Sequence, residues 1–267
     1  MPAIPDIKAL LDEKVAQYNT PQFITADPVS IPHRFTKMQD VEIAGFFAAT
    51  LAWGNRTSII NSCNKLLALM DGAPHDFVLH HEESDRRRFL TFVHRTFNAT
   101  DLIYFIHFLQ HHYQAHHSLE TAFLPPPDIQ PPTASVPPPT SDIQPHLTHF
   151  HHYFFALPHA PERTRKHVST PARNSACKRL CMYLRWMVRK DAAGVDFGLW
   201  KTITPMQLIC PLDVHVARVA RRLGLLSRNA TDWKAALELT GNLRQYRPDD
   251  PAAYDYALFG MGVEERW

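Results

Sequence analysis

The chain has 267 residues, 45% of them apolar, which is enough to fill a sizeable core in one large domain or two small ones. It holds 9 glycines, where an average abundance of about 7% would give about nineteen, against 22 prolines. The glycines stand singly, with none between Gly72 and Gly194. This excludes G-x-G-x-x-G and Walker-type phosphate cradles and, because few turns need positive φ, favours helices over sheet sandwiches.

The formal net charge of +2 conceals an uneven distribution. From Pro161 to Arg228, fourteen Lys and Arg stand against four Asp and Glu, so this block carries +10 and the remainder −8. Such a block is either the footprint of a polyanion partner or a set of solvated helix faces. No run approaches the roughly 18 apolar residues of a membrane span, and the opening MPAIPDIKALLDEK lacks the basic and apolar regions of a secretory signal. The expected setting is the cytoplasm, with no membrane partner. Cys63, Cys177, Cys181 and Cys210 are too few for a disulfide scaffold and are not spaced for a zinc knuckle or an iron–sulfur cluster.

Along the chain, Ile7, Leu10, Leu11 and Val15 form one helical stripe, and residues 41–52 are apolar almost all round, as a buried helix would be. Trp53-Gly54-Asn55 interrupts, and a second helix runs from Thr57 to near Gly72. Phe89 to Phe97 and Asp101 to Ala115 read as two more. Residues 124–145 hold nine prolines and the echo PPPDIQPP, PPPTSDIQP, a low-complexity insertion that is extended or disordered. Histidines crowd both flanks (107, 111, 112, 116 and 117, then 146, 149, 151 and 152). Their spacing suits metal ligation, but a His-rich polar helix face explains it as well, and no metal site is expected.

Beyond the insertion, Leu180, Leu184, Met187 and Val188 make an inner helix face from which Lys178, Arg185 and Arg189 point away. Pro211 and Asp213 start the next helix and Gly224 stops it, with Val216, Val219, Ala220 and Leu223 inside and Arg218, Arg221 and Arg222 outside. Thr231 to Tyr246 is another amphipathic helix, and Asp250-Pro251 caps a last one reaching Phe259-Gly260. Nothing alternates with period two over a useful length. The chain is expected to be all-α, with helical parts 1–123 and 146–267 about the insertion 124–145.

Two ionisable residues open neighbouring helices: Lys178 in S-A-C-K-R-L-C and Asp213 in P-L-D-V-H-V-A-R-V-A-R-R-L-G-L. Taken singly, the first is a solvated lysine and the second an N-cap. As an ordered pair in a basic helical chain they resemble the helix-hairpin-helix DNA glycosylases, the endonuclease III and 8-oxoguanine glycosylase superfamily. The likeness extends to VEIAGFFAATLAWGNRTSIINSCNKLLALM and to Asp255-Tyr256-Ala257-Leu258-Phe259-Gly260-Met261-Gly262, covering about residues 35–120 and 165–263. The spacing of 213 − 178 = 35 is similar to the archaeal 8-oxoguanine glycosylase type. The chain also resembles an uncharacterised bacterial family that shares R-L-C-x-Y-L-R-W-M-V-R and P-L-D-V-H-V.

The resemblance implies two helical subdomains with a cleft between them, in a divergent helix-hairpin-helix fold. It implies removal of an oxidised purine, 8-oxoguanine above all, by base flipping, with AP-lyase activity through a Schiff base on Lys178 and charge stabilisation by Asp213. Asp255, Phe259, Trp53 and Asn55 would hold the flipped base, while Asn174, Ser175, Arg179 and Arg218 would bind phosphates. No cofactor and no metal is implied. The partner would be double-stranded DNA carrying a damaged base, met by a monomer associated with the nucleoid. The alternatives are a glycosylase-fold DNA-binding protein without turnover and a metal-dependent enzyme centred on the histidines. The superfamily hairpin L-P-G-V-G-x-K is replaced here by Thr170-Pro171-Ala172-Arg173-Asn174-Ser175-Ala176-Cys177-Lys178, without glycine, and the four-cysteine cluster of many relatives is missing.

Overall fold

A computed structural model describes residues 6–126 and 143–267. Most of the proline-rich insertion lies outside the described residues. In chain order the helices are α1 (Ile7–Tyr18), α2 (Pro21–Ala26), α3 (Met38–Leu51), α4 (Arg56–Leu69), α5 (Pro74–His80), α6 (Ala99–Ala115), α7 (Gln144–Phe154), α8 (Lys178–Val188), α9 (Val214–Arg222), α10 (Trp233–Arg244) and α11 (Asp255–Val263). Between α5 and α6, β1 (Val93–His94) pairs antiparallel with β2 (Phe97–Asn98) in the one sheet among the described residues. The protein is therefore mostly helical.

The chain forms two compact units, each assembled from separate stretches. Unit one takes residues 6–25 together with 143–144 and 170–267; unit two takes 26–126 and 145–169. The first helix thus joins the C-terminal part of the chain. Ile143 is buried and α7 begins at Gln144, so helical structure resumes inside the stretch 124–145.

Unit two is built on aromatic packing around α3, which is buried on nearly every face, as its all-round apolar sequence leads one to expect. Phe105 and Phe108 of α6 meet Phe154 of α7 with ring centroids at 4.8 and 4.4 Å, and Phe123 stacks on Phe150 at 3.9 Å. The helix expected over Phe89 to Phe97 is absent. A 3-10 turn (Glu83–Phe89) leads instead into the hairpin, whose two-residue turn places Arg95 at φ 55°. Phe92, His94 and Phe97 are buried while Val93, Arg95 and Thr96 are exposed. That short alternation, together with β-branched and aromatic residues, outweighs the helical reading.

In unit one, α1 lies so close to α11 that a Cβ on Gly260 would stand 2.2 Å from the Tyr18 ring. Of the α1 stripe only Leu11 is fully buried. Helix α9 buries Val216, Val219 and Ala220, and Gly224, at φ 72°, ends it in the left-handed conformation that glycine adopts most readily. Two details depart from expectation. Asp250 makes no side-chain cap; its carboxylate takes Arg189 Nε at 2.8 and 3.0 Å, and a 3-10 turn (Pro251–Tyr254) precedes α11. Arg185 and Arg189 do not point outward, being 3% and 2% exposed. Leu180 to Val188 are all buried, so α8 has no wet side on which to place them.

Candidate active site

The approach to α8 solves without glycine a turn that needs positive φ twice. After a 3-10 turn (Pro171–Arg173), Asn174 takes φ 56° and Cys177 takes φ 50°. A non-glycine residue in this region costs on the order of 1 kcal/mol. The cost is offset locally. The Asn174 carbonyl accepts from Trp233 N at 3.2 Å, and its amide donates to Asp232 Oδ2 at 3.0 Å. Ser175 pairs with Asp232 in an isolated antiparallel bridge, and its hydroxyl accepts from Cys177 N at 3.3 Å. Asp232 itself caps α10 through Ala235 N at 2.9 Å. The Arg228 guanidinium first, then the Ala235 N–H and the Asn174 amide, hold its carboxyl down at about 2.

Lys178 is the first residue of α8 and Asp213 the N-cap of α9, and the structure brings them together. Asp213 Oδ1 accepts from His215 N and Val216 N, both at 2.9 Å. Its other oxygen, Oδ2, stands 3.7 Å from Lys178 Nζ, with the two side chains 29% and 19% exposed. One oxygen fixes the helix end and the other faces the amine. The two cap bonds fix the carboxylate's orientation, so it needs no further ordering to act on a charge beside Lys178.

Behind this pair lies a buried ionic cluster. Asp255, first in α11, accepts from Arg185 Nη1. Arg185 Nε faces Asp196 Oδ1 at 3.5 Å, and its guanidinium lies 4.2 Å over the Tyr256 ring. Arg189 bonds Asp196 as well as Asp250, and reaches Asp191 at 3.1 Å. Burial pushes the Asp255 carboxyl up to about 6; Arg185 and Lys178 pull it down, while Asp213 and Asp196 push it further up. Burial also raises the Cys210 thiol well above its ordinary value, with Asp255 adding to the effect. The sequence suggests an outward place for Arg185 and Arg189 and does not single out Asp196. The usable signal was the apolar run L-C-M-Y-L-R-W-M-V, which leaves no polar side to the helix.

The remaining predicted residues fall elsewhere. Phe259 packs edge-on against Phe23 at 6.4 Å, whereas Asp255 is turned to Arg185. Trp53 and Asn55 belong to unit two. There Arg95 lies 5.1 Å over the Trp53 ring, and Asn55 caps α4 by accepting from Ser58 N at 3.3 Å. Asn174 is exposed on the turn, and Ser175 and Arg179 are half-buried. Desolvation lowers Arg179 to about 10, with Cys177 opposing. Arg218 clamps the end of α11, donating to the Trp267 carbonyl and to Gly262 O at 2.7 Å.

Much of the basic block is likewise internal. Arg221 donates to the carbonyls of Arg228 and Asn229, Arg228 pairs with Asp232, and Arg163 with Asp101. Among the described residues, no group of three or more His, Cys, Asp or Glu is arranged to hold a metal ion, and no helix is long and apolar enough to cross a membrane.

Fold and site together define a helical protein with a lysine–aspartate pair set at the N-terminal ends of two helices. A family model described as "Protein of unknown function (DUF2400)" matches residues 27–264, and the chain belongs to that family. Neither the curated proteins nor the solved structures include a match to it.

Proposed function

We propose that the protein is a DNA glycosylase and AP lyase that releases an oxidised purine, 8-oxoguanine above all, from double-stranded DNA, on a divergent helix-hairpin-helix fold. The observation that carries this reading is the 3.7 Å approach of Lys178 Nζ to Asp213 Oδ2, across 35 residues of sequence. A glycosidic bond inside a duplex is out of reach, so the nucleotide is extruded at a cost of a few kcal/mol. As the C1′–N9 bond breaks, its electron pair leaves with the base and positive charge grows on the sugar, where the Asp213 carboxylate offsets it. Lys178, as the neutral amine, forms the new bond to C1′, and the proton it then sheds passes by way of the Asp213 carboxylate to the departing base anion. The nitrogen lone pair then breaks the C1′–O4′ bond, O4′ takes a proton from water, and the protonated Schiff base results. Loss of a C2′ proton then expels the 3′ phosphate and cuts the strand, and water releases Lys178. The exposed turn at Arg173 and Asn174, leading into the positive end of α8, suits a backbone phosphate.

Borohydride reduction in the presence of duplexes containing 8-oxoguanine or an abasic site tests the reading. The wild-type chain is expected to yield a covalent adduct and Lys178→Met none. Absence of an adduct on every damaged duplex would overturn it.

A further inference from the structure

A cavity of about 440 Å³ opens in unit two, lined by Glu83, Ser84, Arg86 and Arg87 of the 3-10 turn, by Leu90 at its end and by Ile103 of α6. Three residues make one turn of a 3-10 helix, so side chains three apart fall in rows. One row is engaged within the protein: Asp85 and Arg88 pair at 2.9 Å, and Arg88 also takes Asp71. A second row, Glu83 and Arg86, ends in the buried Phe89. The third, Ser84, Arg87 and Leu90, is exposed along its whole length. The side chains of Glu83, Ser84 and Arg87 make no hydrogen bond or ion pair among the described residues. Leu90 is 62% exposed and Val93 of β1 61%, two of the four large apolar side chains so bare among the described residues.

Arg86 is held in place from within. His81 is buried and stacked on Phe77, with ring centroids 5.1 Å apart. Its Nδ1 stands 3.0 Å from Phe77 O and 3.1 Å from Val78 O, and since carbonyls only accept, Nδ1 carries the proton. Nε2 is therefore an acceptor, and takes Arg86 Nε at 3.2 Å. That bond fixes the guanidinium and leaves its two terminal nitrogens without a partner among the described residues. The surroundings are positive. Burial lowers the pKa of His107, one turn beyond Ile103 on α6, and Arg86, His111 and His81 lower it further.

We propose that this groove docks an extended segment of a partner protein in which an acidic side chain precedes a branched apolar one. The carboxylate meets the fork of Arg86 and the guanidinium of Arg87, the apolar side chain lies on Leu90 and Ile103, and Glu83 and Ser84 receive peptide N–H groups. Pairing of an arginine fork with a carboxylate is the strongest contact the groove offers, and arginine beside bare apolar side chains is the composition of a protein interface. Four of the six lining residues are exposed, so the groove is too open to enclose a small molecule. A nucleic-acid strand would bring its phosphates beside the exposed carboxylates of Glu82 and Glu83, whereas a peptide brings N–H donors to them.

Fluorescence anisotropy on the full chain tests this with the labelled peptide GSDELLSG and two controls, one with amides in place of both acids and one with serine in place of both leucines. The wild-type chain is expected to bind the first saturably below about 1 mM, and each control about tenfold more weakly. Arg87→Glu and Leu90→Ser should each lower the affinity by about tenfold. Both change exposed side chains, and unchanged urea midpoints verify that they fold. Lys65→Glu, the same change of charge at an exposed position of α4, should leave the affinity as it is. Absence of saturable binding, or equal affinity for the amide control, overturns the proposal. So does a dimer in sedimentation that Arg87→Glu abolishes, which would assign the groove to a second copy, or an Arg87→Glu chain that loses affinity for duplex DNA and keeps it for the peptide. The peptide assay involves neither DNA nor Lys178, so its failure leaves the glycosylase reading untouched, and failure of borohydride trapping leaves this one.

Discussion

Each unit buries an aspartate beside an arginine at a helix start, and the two behave in opposite ways. In unit two, Asp101 is fully buried in the first turn of α6. It accepts from Asn98 N at 3.0 Å, Thr164 Oγ1 at 2.8 Å and Arg163, with His167 Nε2 at 3.3 Å. Burial raises its carboxyl, but His167, Asn98 and Thr164 overcome that and hold it at about 2. In unit one, Asp255 has an arginine and nothing more, and sits at about 6. Depth and a cationic neighbour are common to both, so the number of donors decides the charge. Asp101 is a joint with both oxygens in use. Asp255 has only its Oδ2 in such a bond, and Asp213 divides its oxygens between a helix cap and the face turned to Lys178.

The largest effect is expected where the division is sharpest. On the proposed glycosylase function, Asp213→Asn should slow base release by about 10²-fold or more, while the helix survives because asparagine caps as well as aspartate. Asp213→Ala should add a stability loss of about 1 kcal/mol, read by urea unfolding. Equal stability of the two variants would break the claim that Oδ1 serves as a cap. Next, Asp101→Asn should destabilise by about 2 kcal/mol at pH 7, since an amide replaces a fully buried carboxylate whose oxygens accept from Asn98 N, Thr164 Oγ1 and Arg163. Asp255→Asn should cost far less, because Arg185 retains Asp196.

The pH dependence of stability separates the two residues by sign. Asp101 has a lowered carboxyl, so its stabilisation, about 2 kcal/mol, is present above about pH 4 and lost as pH falls toward 2. Asp255 has a raised one. The folded state binds its proton more tightly than the unfolded chain does, so stability should fall as pH rises from about 4 through 6. Urea midpoints at pH 4, 5 and 7 should show that fall in the wild-type chain and not in Asp255→Asn. The smallest effect concerns salt. Arg173→Ala, on the exposed turn, should reduce the slope of log affinity against log salt by about 1. Arg221→Ala should leave it unchanged, because its donors are already held by carbonyls.

What could be read in advance was local. Helix α9 announces itself through an aspartate, an apolar period and a terminal glycine, and Lys178 and Asp213 are visible because each sits at such a boundary. The buried arginines were hidden because their partners, Asp196, Asp250 and Asp255, are scattered along the chain, and an arginine's default place is outside. The left-handed Cys177 gave no signal either, since only the surrounding turn makes that conformation tolerable. The hairpin at Val93 to Asn98 was missed because its alternation is short and breaks at Arg95 and Thr96, both exposed, too brief a pattern to stand out in the sequence.

The packing of α1 against α11 has a consequence for the order in which the molecule takes shape on the ribosome. Helix α1 is synthesised before unit two and its partner α11 after it, so both segments of unit two emerge in between and are free to fold meanwhile. Asp255 opens α11, so it joins Lys178 and Asp213 only when synthesis has reached that helix. A nascent chain can thus complete unit two before Lys178, Asp213 and Asp255 come together in unit one.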